Sequence, residues 1–229
     1  GAVAARLLER LGIRLCTYTK AIGPVSVPEE EYDFNAINTN PLYMPGSGYA
    51  EKAQAYLTEC IESLDSAGGI VECQVTGLPA GIGEPVFQKL DASLARGIMS
   101  IGAVKGVEIG DGFAAAWSRG SINNDPFLCQ DGEVVKETNH SGGTLGGMSD
   151  GSPLILRAAV KPTPSIAREQ KTVNSRLEDT RLTIHGRHDP VIVPRAVVVV
   201  EAMTALTIAD LLLQNMTSRL DRIEEFYQK

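Results

Sequence analysis

Apolar residues recur every three to four positions in three stretches, a spacing typical of helices with one buried face. The stretches are residues 2–11, 49–67 and 86–97; glycine follows the first two and is the last residue of the third, as is common at the end of a helix. A fourth stretch, residues 195–215, is apolar almost throughout and predicts a buried helix. The apolar positions that define the first three faces are Val3, Leu7, Leu8, Leu11, Ala53, Leu57, Ile61, Leu64, Val86, Leu90 and Leu94.

Shorter segments between these helices have the composition of strands. Residues 13–27 begin with alternating apolar and polar positions and are then interrupted by prolines, so we expect a strand followed by a loop. Residues 70–76, 98–104 and 153–160 predict three more strands, and a short one is expected near Thr172. Helices and strands follow one another along the chain, which predicts a mixed α+β fold.

Three polar stretches predict loops. Residues 29–48 are acidic and contain prolines, so we expect an exposed, mobile loop with some helical turns. Residues 106–151 are rich in glycine and include the turn signals Asn123-Asn124-Asp125-Pro126 and Asp131-Gly132. Residues 161–183 are polar and loop-like. Long loops on a folded scaffold often contact ligands.

The composition is that of an ordinary globular protein. Of 229 residues, 43% are hydrophobic and 21% charged, and we expect residues 1–229 to form a single domain. A net charge of −7 argues against nucleic acid or anionic membrane as a partner, because both attract basic surfaces. The longest apolar run, residues 196–213, contains Glu201, Thr204, Thr207 and Asp210, which favours a buried helix over a membrane span.

The cysteines and histidines lack the spacing of a metal site. No Cys-x-x-Cys pair occurs, and no histidine lies at a matching distance, so we predict no metal. We expect reduced thiols and a cytoplasmic location.

The segment Gly186-Arg187-His188-Asp189-Pro190, which Arg195 follows, concentrates two guanidinium groups, an imidazole and a carboxylate within ten residues. Such a set suits a site that binds a charged ligand and moves a proton. On the residues alone, Arg187 could equally be a surface cation, and Asp189 could cap the turn before Pro190.

Residues 139–151 contain five glycines, at positions 142, 143, 146, 147 and 151, that allow the backbone to approach a flat or anionic ligand closely. The segment matches neither a P-loop nor a dinucleotide-binding fingerprint, and such a loop can also be purely structural. We expect Asp150 in this segment, and Glu108 and Asp111 earlier in the chain, to have structural or capping roles.

Lys161-Pro162-Thr163-Pro164-Ser165 combines one ammonium and two hydroxyls on a stiff, extended course, which suits a phosphate. A solvated loop is the alternative.

Four blocks together closely resemble the chorismate synthase family: residues 106–113, 139–151 and 186–190 and the intervening residues 161–166, in the family's order. The resemblance runs from residue 1 to about Leu213. The family begins with a section that carries a Gly-x-Ser-His-Gly motif, absent here, so we expect this chain to be the larger, C-terminal part of such a protein, with the two catalytic histidines and several arginines upstream.

The resemblance implies a helical layer held between antiparallel sheets, assembled as a homotetramer. It implies a lyase of the shikimate pathway, which serves aromatic amino-acid biosynthesis. The reaction is a 1,4-elimination of phosphate from 5-enolpyruvylshikimate 3-phosphate that gives chorismate and depends on reduced FMN without net oxidation. NADPH enters only indirectly, as a source of reducing equivalents, and a separate flavin reductase is a possible partner.

The resemblance also assigns residue roles. The residues that match flavin contacts of the family are Gly102, Ala103, Gly146, Lys161, Pro162, Thr163, Pro164, Ser165 and Arg187, although asparagine is common where Gly102 stands. Asp189 matches the aspartate proposed to take a proton from flavin N5. His140 and His188 receive no role.

Two functions stay open: the lyase, or a non-catalytic flavin-binding scaffold. We expect this stretch by itself to be inactive. An upstream reading frame with Gly-x-Ser-His-Gly would favour the lyase. A pure interaction protein has little support, since glycine-rich polar loops do not make a hydrophobic docking face.

Overall fold

The computed structural model describes residues 1–186 and 188–228. The helices are α1 (Ala2–Arg10), α2 (Ser47–Glu62), α3 (Leu90–Met99), α4 (Gly120–Asn123), α5 (Val193–Asn215) and α6 (Leu220–Tyr227). Short 3₁₀ helices lie at Glu29–Glu31, Phe34–Thr39 and Gly112–Trp117.

The strands of the described residues are β1 (Arg14–Ile22), β2 (Val25–Ser26), β3 (Gly69–Thr76), β4 (Val104–Ile109), β5 (Phe127–Gln130), β6 (Glu133–Lys136), β7 (Thr144–Leu145), β8 (Met148–Ser149), β9 (Leu154–Val160), β10 (Gln170–Val173) and β11 (Asp179–Leu182). Five of them form a sheet in the order β2-β1-β3-β9-β4. The pairs β5–β6, β7–β8 and β10–β11 are antiparallel hairpins. The chain is therefore mixed α+β, as the sequence predicts.

Two compact units make up the chain. The first comprises Gly1–Thr17, Glu72–Ala158 and Val198–Lys229, and the second comprises Tyr18–Val71 and Ala159–Val197. Strands β1, β3 and β9 and helix α5 contribute residues to both. That residues 1–229 form a single domain stays a prediction.

Each unit has its own buried apolar residues. In the second unit the core contains Ile22, Val27, Leu42, Met44, Ala50, Ala53, Leu57, Cys60 and Ala67. In the first unit the fully buried large apolar side chains include Leu8, Ile13, Leu90, Leu94, Ile98, Leu154, Leu156 and Ile208.

Helix α2 ends at Glu62, five residues before its predicted end. Leu64 adopts a left-handed φ of 58°, and the amide of Asp65 donates to the carbonyl of Cys60 at 2.8 Å. This is the Schellman pattern that terminates helices, here with leucine at the position usually taken by glycine. Ile61 and Leu64 are consequently half exposed, at 52% and 53%, instead of extending the apolar face.

The predicted strand 98–104 is wrong. Helix α3 starts at Leu90, four residues later than predicted, and continues to Met99, and a turn then leads into β4 at Val104. Val86, where the helix was expected to begin, is exposed. A short apolar run has no periodicity that separates a helix end from a strand, which explains the error.

The loop 29–48 has the expected helical turns, but it is not simply exposed. Ala36, Ile37, Leu42 and Met44 are buried, and Leu42 and Met44 belong to the core of the second unit. The short strand near Thr172 is confirmed as β10, whereas its partner β11 and the hairpin β5–β6 were not predicted.

Among the described residues, α5 is the one helix long and apolar enough to span a bilayer by length and composition. Buried core helices pass the same test. Val200, Ala205 and Ile208 are buried, but Val198, Val199 and Leu206 are exposed, so α5 is only partly buried where the sequence predicts a buried helix.

Candidate functional site

In the second unit, residues 65–68 between α2 and β3 connect two predicted site segments. The hydroxyl of Ser66 donates to the carbonyl of Thr163 at 2.7 Å. The amide of Ala67 donates to the carbonyl of Pro190 at 2.7 Å. The structure therefore brings the 161–165 stretch and the Asp189 segment to the same four-residue loop.

Gly68 allows this close approach. A β-carbon at this position would lie 2.5 Å from the carbonyl oxygen of Val160 and 3.0 Å from Cδ of Pro162. Both neighbours are held by backbone or by a ring, so neither can move aside cheaply. Glycine is required here to seat the start of the 161–165 stretch.

The polar side chains of residues 161–165 are unpaired within the described part of the chain. Thr163 Oγ1 is buried without a hydrogen-bond partner. Lys161 makes no ion pair, and the Ser165 hydroxyl makes no hydrogen bond, with any described residue. A buried hydroxyl without a partner costs about 1–3 kcal/mol, so the stretch is suited to a ligand that supplies acceptors.

Asp189 pairs with Arg195, the third residue of α5. Nη1 of Arg195 donates to Oδ2 of Asp189 at 2.6 Å, with side-chain exposures of 68% and 32%. No described residue donates to Oδ1. An ion pair this exposed contributes about 0.2–1 kcal/mol to stability. It therefore does little to stabilise the fold, but it can orient the carboxylate of Asp189.

Arg187, predicted to contact flavin, lies outside the described residues. Its neighbour His188 has Nε2 3.2 Å from the carbonyl oxygen of Ile184. This contact ties the imidazole to the local backbone.

In the first unit, the glycine segment forms the hairpin β7–β8, in which Leu145 pairs with Met148 across a two-residue turn. Gly146 and Gly147 have φ values of 61° and 90°, as a type I′ turn requires. A β-carbon on Gly146 would meet nothing within 4 Å, whereas one on Gly147 would lie 2.6 Å from the Lys89 side chain. Gly146 is thus the open position at the hairpin tip.

Gly110 and Gly142 serve close contact between backbones. A β-carbon on Gly110 would lie 2.1 Å from the carbonyl oxygen of His140, and one on Gly142 would lie 2.2 Å from the amide nitrogen of Gly110. Gly142 therefore has a structural role, because it allows two backbone segments to pack closely. Gly146 has open space beside it and is available to a ligand.

Gly102 and Ala103 lie in the turn between α3 and β4, and Ala103 has a left-handed φ of 70°. A β-carbon on Gly102 would meet nothing within 4 Å. The N-terminus of α3, at the other end of the helix, contacts the β7–β8 hairpin: the amide of Leu90 donates to the carbonyl of Gly147 at 2.8 Å. The length of α3, about 15 Å at 1.5 Å per residue, separates the two predicted contact positions.

A buried charge cluster behind the hairpin was not predicted. Nζ of Lys136 lies 2.5 Å from Oδ2 of Asp150, 3.7 Å from Oδ2 of Asp125 and 3.2 Å from Oγ of Ser141, and the three charged side chains are 6% exposed. Strand β6 carries Lys136 to this position, and sequence spacing gave no signal of that pairing. Asp150 also accepts from the amide of Ser152, the capping role expected of it.

Hydrogen bonds keep both aspartates ionised. Burial opposes ionisation of Asp125, but donors on Ser141, Thr138 and His140 hold its pKa well below the ordinary value. Burial likewise opposes ionisation of Asp150, but the ammonium of Lys136 and hydrogen bonds from Ser152 outweigh it, so the pKa of Asp150 is also lowered.

A cavity of about 330 Å³ adjoins this cluster. Its lining residues are Gly120, Asn123, Asn124, Asp125, Phe127, Lys136, Ser141 and Leu145. Within residues 1–186 and 188–228, no group of three or more His, Cys, Asp or Glu side chains is arranged to hold a metal ion.

Comparison with known proteins decides the family. A family model described as Chorismate synthase matches residues 1–213. The chain belongs to the chorismate synthase family. Chorismate synthase of Agathobacter rectalis is 63% identical over 229 residues, which cover 100% of this chain and 62% of that protein. Chorismate synthase of Archaeoglobus fulgidus is 49% identical over 223 residues, covering 96% of this chain and 62% of that protein.

A solved structure, "Crystal Structure of Chorismate Synthase", matches with a TM-score of 0.79 and 28% identity, covering 99% of this chain and 65% of that one. The predicted chorismate synthase-like α+β fold is confirmed. The chain spans about three fifths of the length of these curated chorismate synthases.

Proposed function

We propose that the protein is a chorismate synthase that eliminates phosphate from 5-enolpyruvylshikimate 3-phosphate to give chorismate, with reduced FMN as cofactor. Support comes from family membership over residues 1–213. The geometric observation that carries the proposal is the 161–165 stretch. Its backbone contacts the same 65–68 loop as the Asp189 segment, and its Thr163 hydroxyl is buried without a partner.

The residues of the second unit fit the phosphate end of FMN. The Thr163 hydroxyl is buried without a partner, and Lys161 and Ser165 add a cation and a second donor on a backbone fixed by Pro162 and Pro164. Arg187 is included among these proposed flavin-binding residues only because its position in the sequence matches a flavin contact of the family. Gly102, Ala103 and Gly146 of the first unit are also proposed flavin contacts, because a β-carbon on Gly102 or Gly146 would meet nothing within 4 Å and Ala103 has a left-handed φ of 70°.

When bound, reduced flavin supplies electron density to the substrate while phosphate leaves. Asp189 would accept a proton at its carboxylate, which must be within hydrogen-bond reach of the donor. Lys161 would add fixed positive charge, which stabilises the charge that develops on phosphate in the transition state. No electrons are consumed overall, so NADPH would serve only to keep the flavin reduced.

Further properties remain part of the proposal: a homotetramer, a cytoplasmic location, flavin reduction by the enzyme itself or a separate reductase, and no nucleic-acid or membrane partner. The net charge of −7 supports the last of these.

The test is an anaerobic assay of the protein expressed from its complete gene, with chemically reduced FMN and 5-enolpyruvylshikimate 3-phosphate. We expect phosphate and chorismate to form in equal amounts, with no net oxidation of flavin. Flavin binding without product would instead support the non-catalytic scaffold, which family membership does not favour.

A further inference from the structure

We infer that Arg195 is a positioning residue for Asp189: its guanidinium holds one carboxylate oxygen so that the other is presented to the proton that Asp189 accepts. This inference rests on the proposed function. Arg195 belongs to none of the flavin or substrate contacts proposed above, and it would act through Asp189 alone.

The contact is specific to one oxygen. Nη1 of Arg195 lies 2.6 Å from Oδ2 of Asp189, a short charge-assisted hydrogen bond. Among the described residues, Oδ1 receives no donor. A carboxylate held at one oxygen has a fixed plane, so its free oxygen points in one direction.

The backbone on both sides of the pair is restrained. The carbonyl of Pro190 accepts from the amide of Ala67 at 2.7 Å, and the carbonyl of Ile192 accepts from the amides of Arg195 and Ala196 at 3.1 and 3.0 Å. The chain between the two charged residues is therefore anchored to the 65–68 loop and to the start of α5. The ion pair adds side-chain order to a backbone that is already fixed.

Stability gives no reason for the pair. Arg195 lies in the first turn of α5, where the helix dipole disfavours a cation. The stabilisation from an exposed ion pair is little larger than the destabilisation of a cation at the N-terminus of a helix. A role in orienting Asp189 accounts for an arginine at this unfavourable position.

In the proposed proton transfer, Asp189 would gain an O–H bond at Oδ1 as the N–H bond of the donor breaks. Asp189 would afterwards release this proton to water, and Arg195 would stay protonated throughout. Neither residue is oxidised or reduced.

The experiment is a double-mutant cycle on the enzyme expressed from its complete gene, measured in single turnovers with reduced FMN. We expect Arg195→Gln to lower the maximal single-turnover rate about tenfold and to leave the concentration that gives half of that rate within twofold. Arg195→Lys should restore part of the loss, because it keeps the charge without the planar fork. In an Asp189→Asn background, Arg195→Gln should have no further effect, since there is no proton acceptor left to orient.

Two further measurements separate positioning from binding and from folding. The dissociation constant of FMN, from flavin fluorescence, and the urea midpoint should both be unchanged in Arg195→Gln. Arg219→Gln is the matched control, because Arg219 also forms an Arg–Asp pair, with Asp221 at 2.5 Å, and is similarly exposed at 66%.

The outcomes are distinguishable. Multiplicative losses in the double variant, or a tenfold weaker FMN affinity in Arg195→Gln, would overturn this inference while leaving the proposed function standing. Absence of turnover by the wild-type enzyme would overturn the proposed function and this inference with it.

Discussion

The amide of Ala67 donates a hydrogen bond to the carbonyl oxygen of Pro190 at 2.7 Å, although the two residues are far apart in sequence. Ala67 is 2% exposed, so water does not compete for this bond. The next residue, Gly68, seats the 161–165 stretch. One loop, residues 65–68, thus contacts both a proposed phosphate-binding stretch and the segment of a proposed proton acceptor.

Thr163→Val should weaken FMN binding by ten- to a hundredfold, because a hydrogen bond to a charged group contributes about 1.5–3 kcal/mol. The free energy of unfolding should stay the same or rise, since the Thr163 hydroxyl has no described partner to lose. Fluorescence titration and urea denaturation measure the two effects. Thr163→Ser, which keeps the hydroxyl, is the control, and an unchanged affinity in Thr163→Val would contradict the assignment.

Gly68→Ala should lower the free energy of unfolding by about 1–3 kcal/mol, because the added methyl overpacks the site. It would lie 2.5 Å from the carbonyl oxygen of Val160. The control is Gly48→Ala in α2, where a β-carbon meets nothing within 4 Å. That substitution should stabilise by about 0.5–1 kcal/mol. Equal effects of both substitutions, measured by urea denaturation, would show that the close approach is unimportant.

Asp189→Asn should lower the single-turnover rate by about 10²–10⁴-fold, the usual contribution of a general base. FMN affinity should change little, since the amide keeps the shape of the side chain. Asp179→Asn, on the exposed strand β11, is the control and should turn over normally. Normal turnover by Asp189→Asn would remove the proton-acceptor role.

Acid should destabilise the first unit through Asp125. Its pKa is lowered in the folded protein, so its contribution is fully present above the unfolded value of about 3.9 and is lost as pH falls through the folded value. We therefore expect the free energy of unfolding to fall more steeply below pH of about 4 in the wild type than in Asp125→Asn. Urea denaturation as a function of pH measures this, and Asp91→Asn on α3, exposed and paired with Lys89 at 3.8 Å, is the control.

The two units should unfold together, as a single domain would. Strands β1, β3 and β9 run through both, so neither unit keeps its strands if the other is lost. The sole tryptophan, Trp117, reports on the first unit. Five of the six tyrosines lie in the second unit and supply most of the tyrosine signal: Tyr18, Tyr32, Tyr43, Tyr49 and Tyr56. Their signals should change at the same urea concentration, and two separate midpoints would contradict a single domain.

The sequence by itself determined the family and most of the elements. Gly12 sets the stop of α1, the apolar run predicts α5, and the glycine and Lys161–Ser165 motifs carry the resemblance. These signals are local, since a glycine or a run of apolar residues acts on the backbone around it. The wrong strand at 98–104 has the same cause: a short apolar segment shows no periodicity that would distinguish the end of a helix from a strand.

Only the tertiary structure decided which distant residues meet. Nothing in the spacing of the chain places Ala67 against Pro190, Lys136 between Asp125 and Asp150, or Thr163 Oγ1 in a buried position without a partner. Pairings of this kind depend on where strands and loops come together after the core has formed. The sequence therefore identifies the motif residues, but it does not show how their side chains are oriented or which of their hydrogen-bonding groups lack a partner.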